Sequence, residues 1–308
     1  MATGEPTAGE TLPISVIVPT VRGWPAAKPA LERLVPQTVG AGGEVVVVDG
    51  SGGRAPSAGE MAEMGGPVAW VERPGNSVFQ LRAAGYGIAR GDVVAVTEDH
   101  CFVAPDWVAR IKDSHDRHRE AGAVGGAVLN GTDQKLVDWA AFLLTQGPFM
   151  PPLQNGITDR ISGPANVSYK RRVLQRLKSE DPLGLIDFLE LPAALEGESL
   201  AADDSIRVLH HQSQGFWGTS LAEFDNGRTI AGFRRRRMGR GDWLRILGAP
   251  LLPIYRSVRA LRIAQGKQRP RGILPASVPI HAWLQYCAMA GELAGYAAGP
   301  GGSARRLY

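Results

Sequence analysis

Short apolar runs punctuate the first half of the chain. Ile14–Val18 is a β-branched run stopped by Pro19, and Glu44–Asp49 (EVVVVD) is a second, ending on an acid before Gly50-Ser51-Gly52-Gly53. Runs with so little polar alternation mark strands buried on both faces. Val68–Glu72 and Asp92–Thr97 (DVVAVT) read the same way, and Ala123–Leu129 reads as a later strand. Between them the spacing turns helical over Trp24–Val35, where Pro25 and Pro29 weaken it, over Asn76–Arg90 and over Pro105–Ala121. Strands alternating with helices require right-handed crossovers, hence an α/β fold with a mostly parallel sheet flanked by helices.

In such sheets ligands bind at the carboxyl ends of the strands. The chain puts polar residues there: Thr20 after the first strand, Asp49 after the second and Glu98-Asp99-His100 after the fourth. Asp49 can also be read as a helix cap, and a charged triplet as an exposed loop. Three such positions in register with one sheet edge favour a site. No G-x-G-x-x-G follows the first strand, and G-x-x-x-x-G-K-[ST], G-x-S-x-G and H-E-x-x-H are absent. A dinucleotide oxidoreductase, a P-loop enzyme, an α/β-hydrolase and a zincin therefore lose support. His115 and His118 have helix-face spacing among charged neighbours and read as a solvated face, not a metal site.

Composition narrows the class. Hydrophobic residues make up 44% of the 308 positions and charged ones 21%, so the chain folds around a core and is neither disordered nor a coiled coil. Cys101 and Cys287 match no knuckle or redox spacing, which excludes a disulfide scaffold and points to a reducing compartment. Met1–Leu12 has no basic, apolar signal pattern and reads as a disordered lead. Charge divides sharply: residues 1–205 carry 18 Lys/Arg against 26 Asp/Glu, whereas residues 206–308 carry 16 against 4. The basic part invites an anionic surface.

Six segments in order carry a resemblance. They are ISVIVPT (14–20), EVVVVDGSG (44–52), LRAAGYGIARGDVVAVTEDHC (81–101), PDW (105–107), GPANVSYKRR (163–172) and VLHH (208–211). With these the chain resembles a family-2 glycosyltransferase of the GT-A fold, over about two thirds of its length. The resemblance implies that Pro19, Thr20 and Asp49 hold the nucleotide base and ribose. It also brings Arg82 to the nucleotide, although Ala83 replaces the family's asparagine while Gly85 is kept. Glu98-Asp99-His100 stands at the D-x-D position. Asp99 is then the expected metal ligand, Glu98 faces the ribose, and His100 is a ligand or a donor behind one. His210 completes the metal site, and Gly163 and Asn166 line the sugar and acceptor pocket. Such a site takes Mn²⁺ or Mg²⁺, and its histidines tilt the choice toward Mn²⁺. An inverting transferase also needs a carboxylate base. Asp187 and Glu190 in GLIDFLE, before Gly197, stand nearest the family's position, with Asp187 favoured on spacing.

The tail is basic. Arg228 to Arg271 holds 13 Arg/Lys and one acid, Asp242. Arg256, Arg259 and Arg262 set against Ile254, Val258 and Leu261 make an amphipathic helix whose start Pro250 and Pro253 break or kink, suited to an anionic bilayer surface. Ile280–Ala298 ends with Gly291, Gly295 and Gly299 at the spacing that lets helices approach closely. It reads as interfacial attachment, as a helical appendage or as a span. Nucleic-acid binding is disfavoured, because no known module is legible and the aromatics form no stacking platform.

The expected organisation is a lead over 1–12, a GT-A domain over 13–225 and a basic helical region over 226–308. The expected activity is transfer of a sugar from a nucleoside diphosphate sugar, UDP-sugar favoured, to a hydroxyl acceptor that is lipid-linked or a polysaccharide. The expected location is cytoplasmic, peripheral on the inner face of the membrane. Two other classes stay open: a non-catalytic membrane- or partner-binding protein on a degenerate GT-A fold, and a nucleotidyltransferase.

Overall fold

The computed structural model describes residues 12–132, 134–177, 185–187, 190–212, 214–235, 238–239 and 243–307. Residues 1–11 of the expected lead, and Gly184, Phe188 and Leu189 of the GLIDFLE segment, lie outside them. In chain order the first strands are β1 (Leu12–Thr20), β2 (Glu44–Asp49), β3 (Val68–Glu72) and β4 (Gly91–Val96). Helices α1 (Lys28–Gly40), α2 (Ala58–Ala62) and α3 (Val78–Ile88) connect them. The order is β3-β2-β1-β4, every pair parallel. Period-2 alternation sends Ile14, Val16 and Val18 into the cluster that holds Leu31 and Leu34 of α1, and Ile17 into the opposite one with Tyr86 of α3. Gly85 permits that second contact, since a Cβ there would meet the Ile17 side chain. α1 starts at Lys28, later than Trp24, with Pro29 in its first turn, where the missing N–H has no partner to lose.

The second half of the sheet is mixed. It comprises β5 (Cys101–Val103), β6 (Ala121–Asn130), β7 (Gly156–Thr158), β8 (Val167–Lys170) and β9 (Ser199–His210), in the order β4-β8-β6-β9-β5, with β7 also on β9. Only β6 and β9 pair in parallel there. Helices α4 (Trp107–Arg117), α5 (Leu136–Thr145), α6 (Arg171–Leu174) and α7 (Glu190–Ala194) lie among these strands. One register matters for function: antiparallel β5 and β9 set Cys101 opposite His210. His115 departs from expectation. α4 packs on the sheet, so His115 is buried, its Nε2 lies 2.9 Å from Ser168 Oγ, and burial pulls its pKa down to about 3.

Four helices follow: α8 (Gly215–Arg235), α9 (Trp243–Gly248), α10 (Leu252–Gln265) and α11 (Ile273–Ala298). The expected division after residue 225 falls inside α8. α8 and α11 pack at backbone distance: a Cβ on Gly291 would meet the Phe224 carbonyl, and one on Gly227 the Ala288 carbonyl. The small-residue spacing thus serves a contact within the chain. Ala264 and Leu274 join Trp139, Phe142 and Leu143 in the main core cluster, and Arg306 grips buried Asp225 through two hydrogen bonds. Among the described residues no helix is long and apolar enough to cross a membrane, which removes the spanning alternative for 280–298. α10 turns its small residues Pro253, Ser257 and Ala264 inward.

Candidate functional site

The site grows from the carboxyl edge of the parallel strands. Thr20 and Asp49 are register partners on β1 and β2, joined by Gly50 N–H to Thr20 O at 2.9 Å. Pro19 is buried inside β1 opposite Val48. Asp49 Oδ1 accepts the Ser51 N–H at 2.8 Å, whereas its buried Oδ2 has no hydrogen-bond partner. Asp49 caps no helix, since Ser57 caps α2. Thr20 Oγ1 accepts N–H groups from Arg22 and Gly23 and donates to Asp99 Oδ2 at 2.6 Å.

Asp99 is therefore fully engaged. Besides Thr20 it accepts Arg22 Nε and Nη2 at 3.2 and 2.9 Å, and its Oδ1 holds His100 Nδ1 at 2.9 Å. Burial alone would raise its pKa, but the hydrogen bonds from His100, Arg22 and Thr20 and the His100 charge bring it to about 2. With Nδ1–H given to Asp99, the His100 lone pair sits on Nε2. That atom lies 3.2 Å from His210 Nε2 and 3.4 Å from Glu98 Oε2, and His210 Nε2 lies 3.6 Å from the same Glu98 oxygen. Burial also opposes ionisation of Glu98, yet the His210 hydrogen bond and the charges of His100, His210 and Arg82 hold it at about 2. For His100, burial is outweighed by the Asp99 hydrogen bond and by the Glu98 and Asp99 charges, so its pKa is raised.

These separations test a cation. Ligands about 2.1 Å from one ion stand roughly 3.0–3.4 Å apart at octahedral to tetrahedral angles, close to the triangle's edges. One carboxylate oxygen and two imidazole nitrogens suit a divalent transition ion better than Ca²⁺. Cys101 Sγ lies 3.9 Å from Glu98 Oε2 in the same cluster, but burial and then the Glu98 charge push its thiol up, so it stays protonated and is the poorest donor. Hence Glu98, expected at the ribose, stands with His100 and His210. Asp99, expected as a ligand, holds the opposite ring nitrogen of His100 through its Oδ1.

Around the triangle lies a cleft of about 210 Å³ lined by Arg82, Glu98, His100, His210, Glu223 and Asn226, among others. Arg82 is buried beneath it and donates Nε and Nη2 to Asp187 Oδ2 at 2.9 and 2.7 Å, leaving the buried Asp187 Oδ1 unpartnered. Glu190 is placed elsewhere, in a cavity of about 400 Å³ beside α3 with Asn76, Gln80 and Ile186.

Asn166 is not brought to the cleft. Its amide donates to the carbonyls of Ala127 and Ile206 and its oxygen accepts Trp107 Nε1, so it ties β6, β9 and α4 together, 1% exposed. A side chain so fully bonded has nothing to offer a sugar. Gly163 is partly exposed at the start of the same loop, which Thr97 Oγ1 anchors through Ala165 O. Sequence reasoning missed Arg22 and Glu223. Arg22 stands two residues after Thr20, in a PTVRG turn that was visible; nothing in the sequence pairs Glu223 with residues 98–100.

The sequence model of the family described as glycosyl transferase family 2 matches residues 15–178. No curated protein sequence matches the chain. Among solved structures, the mannosyltransferase PcManGT from Pyrobaculum calidifontis, in complex with GDP-Man and Mn²⁺, superposes with a TM-score of 0.53 at 17% identity, covering 94% of this chain and 88% of that one. Residues 1–349 of TarS from S. aureus reach a TM-score of 0.48 at 13% identity, with 92% and 88% covered. The first of these similarities establishes the GT-A fold, a mixed α/β sheet flanked by helices, with a helical C-terminal part.

Proposed function

The chain belongs to glycosyl transferase family 2 and is a glycosyltransferase, and we propose that it moves a sugar from a nucleoside diphosphate sugar to an acceptor hydroxyl by a single inverting displacement. The observation that carries this reading is one continuous polar network along the sheet edge. It runs from Thr20 through Asp99 and His100 to Glu98 and His210, with Arg82 beside it. Asp49 Oδ2 and Thr20 bind the nucleoside, a UDP-sugar being favoured. Glu98, His100 and His210 hold Mn²⁺ or Mg²⁺, with the histidines favouring Mn²⁺. A cation held by these three side chains would supply the positive charge that the departing diphosphate calls for.

In the step itself the acceptor oxygen bonds to the anomeric carbon while the carbon–oxygen bond to the diphosphate breaks, its electron pair leaving with the phosphate. The hydroxyl proton goes to a carboxylate, and Asp187 fills that role through its free Oδ1. Arg82, which lines the cleft, holds the other Asp187 oxygen and so fixes the position of the carboxylate. Asp187 is favoured over Glu190, whose Oε2 is likewise unpartnered, because Asp187 pairs with the cleft residue Arg82 whereas Glu190 lines a separate cavity. The Gly163 loop borders the sugar side.

The helical layer supports peripheral attachment to an anionic membrane face. Leu244, Leu247, Leu251, Ile254 and Val258 follow a spacing of three and four residues, each between 43 and 78% exposed. An apolar stripe on so basic a region suits a bilayer surface.

The test is thermal unfolding with UDP, GDP, CDP and dTDP, each with and without Mn²⁺. A ligand at about 100 times its Kd adds roughly 2.7 kcal/mol. A shift with one nucleotide, larger with metal, supports the transferase and chooses the donor. No shift with any of them defeats this reading in favour of a non-catalytic binding protein.

A further inference from the structure

A second cavity adjoins the cleft. It measures about 300 Å³ and lies between α5, α8, α10 and α11. Glu223 and Asn226 line both spaces, so the wall between them is one turn of α8. Four arginines line the cavity: Arg160 after β7, Arg234 on α8, and Arg256 and Arg259 on α10. Glu292 pairs with Arg256 at 2.7 Å. Among the described residues no carboxylate pairs with Arg160, Arg234 or Arg259. Three solvent-exposed guanidinium groups thus stand around one concavity, each free to form charge-assisted hydrogen bonds to an anion.

The dividing residue is only partly satisfied, with Asn226 as its hydrogen-bond partner. Glu223 is 6% exposed and its Oε2 has no hydrogen-bond partner, although it borders two open spaces. A buried, unsatisfied oxygen facing a cavity is a ready acceptor for an incoming hydroxyl.

We propose that this cavity binds the phosphate-ester group of the acceptor, with Arg160, Arg234 and Arg259 on the phosphate and Glu223 Oε2 accepting a hydroxyl of the same molecule at the entrance to the cleft. This deepens the transferase reading and rests on it. Glu223 is a positioning residue, and the proton still goes to Asp187. The ester belongs to a soluble phosphorylated acceptor or to a lipid. Apolar Leu143, Leu144, Ile230 and Ile263 line the same cavity and accommodate an alkyl chain. The recognising chemistry is the same for both.

The experiment is calorimetric titration of the full chain with octyl phosphate, kept below its micellar concentration, and with inorganic phosphate, both with the cleft saturated by nucleoside diphosphate and Mn²⁺. Saturable binding is expected, weakened about tenfold by Arg234→Ala and by Arg259→Ala and unchanged by Arg305→Ala, which lies outside the cavity. Both arginines are exposed at the mouth, so their removal leaves the core intact. Octyl phosphate binding more tightly than inorganic phosphate assigns the ester to a lipid; equal affinities assign it to a soluble acceptor. No saturable binding, or binding indifferent to both substitutions, overturns the proposal. A parallel nucleotide titration separates the two readings. If it fails while the arginine-dependent binding stands, the transferase reading is wrong and the anion site is not.

Discussion

The parallel strands β3-β2-β1-β4 end at the polar edge beside the cleft, helix α8 of the C-terminal layer α8 to α11 lines that cleft, and the two regions were written into the sequence in different ways. Strands β1, β2 and β4 owe their place to their own residues: largely β-branched runs that are mostly buried and lead into the polar residues that the sheet edge then displays. The helices owe theirs to a neighbour. α8 and α11 are held together by what each leaves out, a side chain at Gly227 on α8 and at Gly291 on α11. Glu223 meets the metal-type cluster only because α8 lies along the cleft. The polar edge sits on locally determined strands, whereas the α8 wall of the cleft depends on long-range packing.

Substitutions sharpen that contrast, beginning where the largest effect is expected. Asp187→Asn is expected to lower turnover about 10²- to 10⁴-fold at nearly unchanged nucleotide affinity, while Glu190→Gln stays near wild type. Steady-state kinetics with separate kcat and KM decide this, and an equally active Asp187→Asn enzyme removes the base assignment. On the strand edge, Asp99→Asn leaves the triangle but loosens His100. Mn²⁺ affinity by calorimetry should fall about 10- to 100-fold, and His210→Ala should cost more than that. If Asp99→Asn proves the more damaging of the two, Asp99 is itself a ligand.

In the helical layer, Gly291→Leu forces α8 and α11 apart and should destabilise the fold by about 3 kcal/mol or more in chemical unfolding. Unchanged stability would mean that the two helices do not pack as described.

Glu223 offers a graded test. Burial raises its pKa from the ordinary 4.5 to about 7. Around it stand Arg82, Glu98, His100 and His210 in the cleft, and Arg234, Arg256 and Glu292 in the cavity. The folded chain keeps a proton that the unfolded chain releases above pH 4.5, so this contribution is complete below 4.5 and is lost as pH rises through 7. The difference is at most about 3 kcal/mol, and Glu223→Gln should flatten it. Identical stability profiles for the two proteins would contradict the buried placement.

The smallest change in stability belongs to the exposed stripe. Leu247→Glu and Val258→Glu should alter folding by less than about 0.5 kcal/mol. Both should nevertheless reduce sedimentation with vesicles rich in anionic lipid, and undiminished binding would rule the stripe out as the docking surface.

Read without a structure, β2 and β3 are legible to the residue, and β1, β4 and β6 to within a few positions, because apolar runs of that length have few other uses. β5 escapes because Cys101–Val103 is too short to show a pattern. His115 is misread because its charged neighbours on the helix say nothing of the sheet beneath.

By themselves the residues determined the parallel half-sheet, the polar edge at Thr20, Asp49 and Glu98–His100, and the family to which the chain belongs. Those features are local, set by side-chain volume, branching and order along the chain. Only the tertiary structure decided how the edge divides its work. The β5–β9 register brings His210 to His100 and Glu98, the Arg22 and Thr20 contacts engage both oxygens of Asp99, and the α8 path delivers Glu223. Each of these joins residues 77 or more positions apart or elements on different layers. No local pattern encodes such a meeting, because it is settled by which surfaces can be buried together.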